Sequence, residues 1–138
     1  MAGLFQIQIK GGVSSARAID LFIEGVDTEE ILDGAAAIFL NRIRTRYQQQ
    51  TAPDGTRWTP SAAALAEQRN TGIDTGNLFR SIQLYESVEG RRVIGTDVFY
   101  GPYFHYGSKK KRNPGRHFMA YNDDDLDLVT NFILSRFV

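Results

Sequence analysis

Cysteine is absent from this 138-residue chain. That single absence removes thiol catalysis, disulfide frameworks, cysteine zinc sites and iron–sulfur ligation. No apolar run approaches the ~18–20 residues of a membrane span, so no membrane segment is expected. Histidine occurs only twice, as His105 and His117, without a His-x-x-x-His pair. A transition-metal site would therefore have to be assembled across subunits, and neither metal nor other cofactor is expected. Net charge is missing too, because sixteen basic and sixteen acidic residues cancel. A dedicated nucleic-acid binder normally carries a basic excess, so that class is disfavoured. The same neutrality leaves little self-repulsion between copies, which suits a life in assemblies. Residues Met1 to Gln6 lack a basic stretch followed by an apolar core, so no secretory signal is expected. The working class is a soluble, intracellular protein with one domain spanning 1–138.

What is present reads as an ordinary globular composition, with 42% hydrophobic and 23% charged residues. Phe5, Ile7 and Ile9 alternate with Gln6 and Gln8, the period of a half-buried strand that Lys10-Gly11-Gly12 ends. Ala16 to Glu24 fits either a short helix capped by Ser15 or a strand. Asp27 and Glu30 form an Asp-x-x-Glu helix start. Ile31, Leu32, Ala35, Ile38, Phe39, Arg42 or Ile43, and Tyr47 then predict a long amphipathic helix running to about Gln50. Pro53-Asp54-Gly55 stops it with turn chemistry.

Ser61 to Arg69 reads as a short helix or ordered arm, and Thr75 as the cap of a helical turn through Leu78 and Phe79. Ile82 to Val88 and Arg91 to Thr96, joined at Glu89-Gly90, read as a hairpin. Asp97 to Gly107 is dense in aromatics, and Lys109 to Gly115 is a basic loop, expected to be mobile over 108–115. Arg116 to Tyr121 reads as extended, with the hairpin as one partner it could take. Asp123-Asp124-Asp125 opens a C-terminal helix with the stripe Leu126, Val129, Phe132, Ile133 and Phe137. The expected fold class is α+β: a small antiparallel sheet packed by one long central helix and a C-terminal helix.

Three constellations bear on chemistry. Asp74-Thr75-Gly76 after Ile73 carries the aspartic-protease tripeptide, in which two carboxylates of a dimer share one proton. A dimeric protease around Asp74 is therefore one alternative, set against a plain turn and cap. Asp123, Asp125 and Asp127 match the first carboxylates of a calcium loop, but Leu128 and Leu134 stand where that loop needs Gly and Glu. Acidic residues at a helix N-terminus also answer its dipole, so no metal is expected there. Lys109, Lys110, Lys111, Arg112 and Arg116 could meet phosphates in a small nucleic-acid-contacting module, the second alternative. His105, set among aromatics, reads as a hydrogen-bonded structural histidine.

Four segments in order resemble a known family. Pro53-Asp54-Gly55-Thr56-Arg57-Trp58 is similar to the Pro-Asp-Gly-x-x-Trp stretch that follows the long helix in tailed-bacteriophage virion morphogenesis proteins, also called tail completion proteins. Thr75-Gly76-Asn77-Leu78-Phe79-Arg80-Ser81-Ile82 resembles their Thr-Gly-x-Leu-x-x-Ser-Ile motif. The segment from Gly95 to Gly107, ending His105-Tyr106-Gly107, resembles their Gly-Thr to His-x-Phe-Gly block. Pro114-Gly115-Arg116-His117-Phe118 resembles the Pro-x-Arg-x-Phe before their last helix.

The resemblance implies a non-enzymatic structural protein of the virion neck, made in the host cytoplasm. It implies a homo-oligomeric ring, hexameric or dodecameric, that completes the tail and joins it to the head. The partners implied are the head connector or adaptor, the tail terminator or tail tube, and non-specific contact with DNA in the channel. A ring closed by rotation needs two different faces on each subunit. Trp58 and its surrounding arm are candidates for one face, with an ordinary core anchor as the equal alternative. The Ser108–Gly115 loop is a candidate for the other face or for the channel. The contact residues expected are Trp58, Tyr100, Tyr103, Lys109, Lys110, Lys111, Arg112 and Arg116.

Overall fold

The computed structural model describes residues 5–10, 28–73, 76–108 and 114–136. Helix α1 (Thr28–Gln49) is the spine. Ile31, Leu32, Ala35, Ala36, Phe39, Ile43 and Tyr47 recur at three- and four-residue steps, and all are buried. The helix ends where Gln50 takes a left-handed φ of 59°. Gln50 N–H then bonds Tyr47 O at 3.1 Å and Thr51 N–H bonds Arg46 O at 3.0 Å. That pair of bonds is a Schellman stop, which satisfies carbonyls the helix leaves open. Gln50 tolerates the backbone because its side chain is anchored: Oε1 accepts from Thr71 N at 2.8 Å and Nε2 donates to Thr71 O at 3.0 Å.

The sheet has three antiparallel strands in the order β1–β3–β2: β1 (Phe5–Lys10), β2 (Gln83–Val88) and β3 (Arg91–Thr96). The expected hairpin is present, and the N-terminal strand pairs on the other side of β3, Phe5 opposite Thr96. Tyr85 is an extra residue in β2, where the register shifts between Leu84 and Glu86. Its hydroxyl donates to Ser81 O at 2.7 Å. The β3 residues Arg92, Ile94 and Thr96 share one side of the strand. Ile94 enters the core with α1, and Arg92 bonds Asp33 Oδ1 at 2.7 Å and Glu29 Oε2 at 2.9 Å.

Short helices close the core around this frame: α2 (Ala62–Glu67), α3 (Asn77–Ser81) and α4 (Gly101–Tyr106). Ser61 caps α2 by accepting from Ala64 N at 3.1 Å. Arg44 of α1 reaches across to Ile82 O, with Nη2 at 2.6 Å, and so caps the end of α3. Helix α5 (Asp123–Ser135) begins with a capping box between Asn122 and Asp125, and packs on α1 where Phe132 lies over Gly34. The fold class is α+β as expected.

Two expectations are corrected. Residues 116–121 join no strand; the amides of Phe118 and Met119 instead donate to His105 Nδ1, both at 3.2 Å. Leu126 of the expected α5 stripe is 42% exposed, whereas Asp125 is fully buried. The reason is electrostatic: Asp125 Oδ1 accepts from Arg42 Nε at 2.7 Å and Arg46 Nη1 at 2.8 Å. Those bonds and the capping box turn Asp125 inward, and Val129 and Phe132 follow at helical spacing. The Asp27 cap, the Ala16–Glu24 segment, Thr75 and Phe137 lie outside the described residues.

Candidate docking surface

The aromatic-rich segment after β3 divides into an inward and an outward set. Gly101, Phe104 and His105 face the interior of the subunit. Phe104 stacks on Tyr47 with centroids 5.7 Å apart at 15°. Tyr47 also meets Trp58 edge-on at 5.0 Å and Phe118 at 5.8 Å. Its hydroxyl donates to Gly72 O at 2.7 Å, and burial pushes its pKa well above the ordinary phenol value. Gly101 is needed at the start of α4, because a side chain there would sit 2.9 Å from Thr96 Cγ2.

His105 is the structural histidine the sequence suggests. It is buried, and its Nδ1 accepts two backbone amides, which requires that nitrogen to be unprotonated. Burial, and then the neighbouring His117 ring at 4.5 Å, lower its pKa to about 4. It therefore stays neutral at physiological pH and clamps the 114–120 segment to α4.

The outward set is Phe99, Tyr100, Tyr103 and Tyr106, exposed by 79%, 37%, 68% and 67%. Tyr100, Tyr103 and Tyr106 recur every three residues, so they form one stripe along α4. Two open grooves lie near its ends. One, of about 410 Å³, is bordered by Pro53, Asp54, Arg57, Trp58, Gly115 and His117. The other, of about 450 Å³, is bordered by Asn77, Ser81, Asp97, Val98, Phe99 and Tyr100.

The structure separates the expected contact residues into three groups. Tyr100 and Tyr103 stand on the exposed stripe. Trp58 and Arg116 do not: they are 7% and 8% exposed. Trp58 is the core anchor, its Nε1 donating to His117 O at 3.1 Å. Arg116 is consumed within the subunit, since Nε donates to Thr59 O at 2.7 Å and the guanidinium lies over Phe104 at 5.8 Å. Lys109, Lys110, Lys111 and Arg112 lie outside the described residues, as does Asp74 of the protease alternative.

Two residues escaped the sequence reading. Asp125 looked like one of three acidic residues answering a helix dipole, and no local signal marks it as the buried one. Asp97, two residues before the Phe99-Tyr100 pair, borders the second groove; a carboxylate shortly before two aromatics was its only signal. Among the described residues no group of three or more His, Asp or Glu side chains gathers as a metal cage. Among them, too, no helix is long and apolar enough to cross a membrane.

Compared with known proteins, the chain matches no protein-family model, no curated protein sequence and no solved structure.

Proposed function

We propose that the chain is a structural virion protein of a tailed phage, a neck component that forms a homo-oligomeric ring and joins the tail to the head connector. The reading rests on the four ordered motif resemblances, and one structural observation carries it further. The outward stripe Phe99, Tyr100, Tyr103 and Tyr106 is large, aromatic and exposed, while Gly101, Phe104 and His105 between them face the subunit interior. Aromatic side chains in a contiguous exposed patch are the composition of a protein contact. Rigid support from Phe104 and His105 presents them with little ordering cost on binding.

The motif residues themselves are spent on the subunit's frame. Pro53-Asp54-Gly55 forms a turn closed by Gly55 at φ 88°, which returns the chain so that Trp58 N–H bonds Gln50 O at 2.7 Å. Arg116 and Phe118 hold the last crossing before α5 against α4. Motifs that build a scaffold and leave aromatic rings exposed suit a protein whose work is assembly.

The test is a joining assay. Tailless heads and headless tails of the phage that encodes the chain are mixed with and without the purified protein, and joined particles are counted by electron microscopy. Restored joining is expected with the wild-type chain and not with Tyr103→Ala. Joining that proceeds equally well without the protein contradicts the reading.

A further inference from the structure

The groove at the N-terminal end of α4 has a specific chemistry. Asp97 leaves β3 at the point where the chain turns toward the helix, and its side chain is exposed. The Tyr85 hydroxyl, positioned by the bulge in β2, lies 3.2 Å from Asp97 Oδ1 and accepts from Asp97 N at 3.3 Å. The Asp97 backbone is thereby held at the groove's edge, with its side chain exposed. Beside it Phe99 and Tyr100 meet edge to face, with centroids 5.4 Å apart at 89°. Among the described residues no cationic side chain pairs with Asp97. A carboxylate flanked by two accessible aromatic faces is a receptor for an ammonium or guanidinium group, combining charge pairing with cation–π attraction.

We infer that this groove receives a cationic side chain from the Lys109-Lys110-Lys111-Arg112 segment of a neighbouring copy. The inference rests on the ring reading and names one of its contacts. Charge complementarity singles out the occupant, because these four residues are the longest run of like charge in the chain. Position supports it as well. The basic segment follows Ser108, just past the C-terminal end of α4, whereas the carboxylate groove lies at the helix's N-terminal end. A six-residue helix is roughly 9 Å long, so Ser108, from which the basic segment departs, and the receptor groove stand at opposite ends of one short rod. A donor segment departing from one end and a receptor at the other suit a head-to-tail contact, the heterologous kind that closes a ring by rotation. The exposed Tyr103 and Tyr106 belong to that same helix.

The test is a charge swap read by sedimentation velocity over a concentration series. Asp97→Lys alone, and the triple change Lys109→Glu, Lys110→Glu, Lys111→Glu alone, are each expected to weaken self-association by about tenfold or more. Their combination should restore it, and high salt should weaken the wild type. Phe99→Ala, at a side chain exposed enough to leave folding intact, should weaken association without altering charge.

In parallel, a synthetic peptide spanning Ser108 to Gly115 is titrated into the wild-type chain. Chemical-shift changes should concentrate at Asp97, Phe99 and Tyr100. Association that survives Asp97→Lys overturns the groove contact and leaves the ring reading intact. A failed charge-swap rescue overturns it too, as does a contact that forms independently of concentration, which would lie within one chain. If the wild type stays monomeric at every concentration and beside phage particles, the ring reading falls. The peptide titration then decides the groove by itself, and a peptide that shifts none of the three residues overturns it.

Discussion

Arg46 and Asp125 face each other across the seam between α1 and α5, with Nη1 2.8 Å from Oδ1 and both residues buried. Arg42 completes the cluster, and Arg46 Nη2 also donates to Ala120 O at 2.8 Å. One carboxylate thus ties the long helix, the C-terminal helix and the segment between them.

Removing that carboxylate leaves Arg46 as an uncompensated buried charge. Asp125→Ala is expected to cost about 3–5 kcal/mol, enough to unfold a marginal domain. Asp125→Asn keeps an acceptor for Asn122 N and should lose less. Urea midpoints of the three proteins, at constant slope, check the order wild type, Asn, Ala.

Acid should lower the protein's stability over two separable pH windows. The neutral His105 ring takes up a proton at about 4 in the folded chain but near ~6.5 when unfolded. The unfolded state therefore binds more protons over that window, and stability falls as pH drops from ~6.5 to about 4. His105→Asn retains an acceptor for the Phe118 and Met119 amides without titrating, so it should lose the part of that fall that His105 causes. Asp125 acts lower. Burial alone would raise its pKa, but the bonds from Arg46 and Arg42 outweigh burial and hold it below the ordinary carboxylate value. Its contribution is complete above the ordinary carboxylate range and is lost as pH falls beneath it. Chemical denaturation at a series of pH values resolves the two windows.

Gly72 sits at φ +82°, and an added Cβ would lie 2.4 Å from the Tyr47 hydroxyl and 2.8 Å from Phe104 Cζ. Gly72→Ala combines backbone strain with a clash in the aromatic cluster and should cost about 2 kcal/mol or more. Trp58 is the one tryptophan and packs 5.0 Å from Tyr47. Its fluorescence should move in the folded variant, which separates repacking from simple unfolding.

The outward stripe should behave oppositely. Tyr103→Ala removes a ring that is 68% exposed, so stability should change by no more than about 0.5 kcal/mol. Self-association or head–tail joining should nevertheless drop. A variant that loses stability and joining together would place Tyr103 in the fold instead of the contact.

The elements were legible where periodicity spoke clearly. The run Ile31 to Tyr47 announced α1, alternation announced the hairpin, and Asp123-Asp124-Asp125 announced α5. The pairing of β1 with β3 was not legible, because an edge strand's partner lies most of the chain away and no spacing encodes it. Residues 116–121 have strand-like composition, yet His105 claims two of their amides, a tertiary choice that no local pattern records. Asp125 stands among neighbours of the same charge, and only Arg42 and Arg46, two turns of a distant helix, single it out. Trp58 could be read as a contact or as a core anchor from sequence, and its bond to His117 O assigns it to the core. Arg116, read as part of a basic arm, is taken up by Thr59 and Phe104. The exposed stripe on α4 was visible as a dense aromatic segment, but which rings face outward depends on a helix whose first residues are Gly101 and Pro102.

The measurement that bears most directly on the neck-ring reading is the mass of the purified chain by light scattering, alone and together with tailless heads or headless tails. The reading predicts a ring-sized species, or capture on one of the two particles in stoichiometric multiples. A strict monomer or dimer that ignores both particles would contradict it.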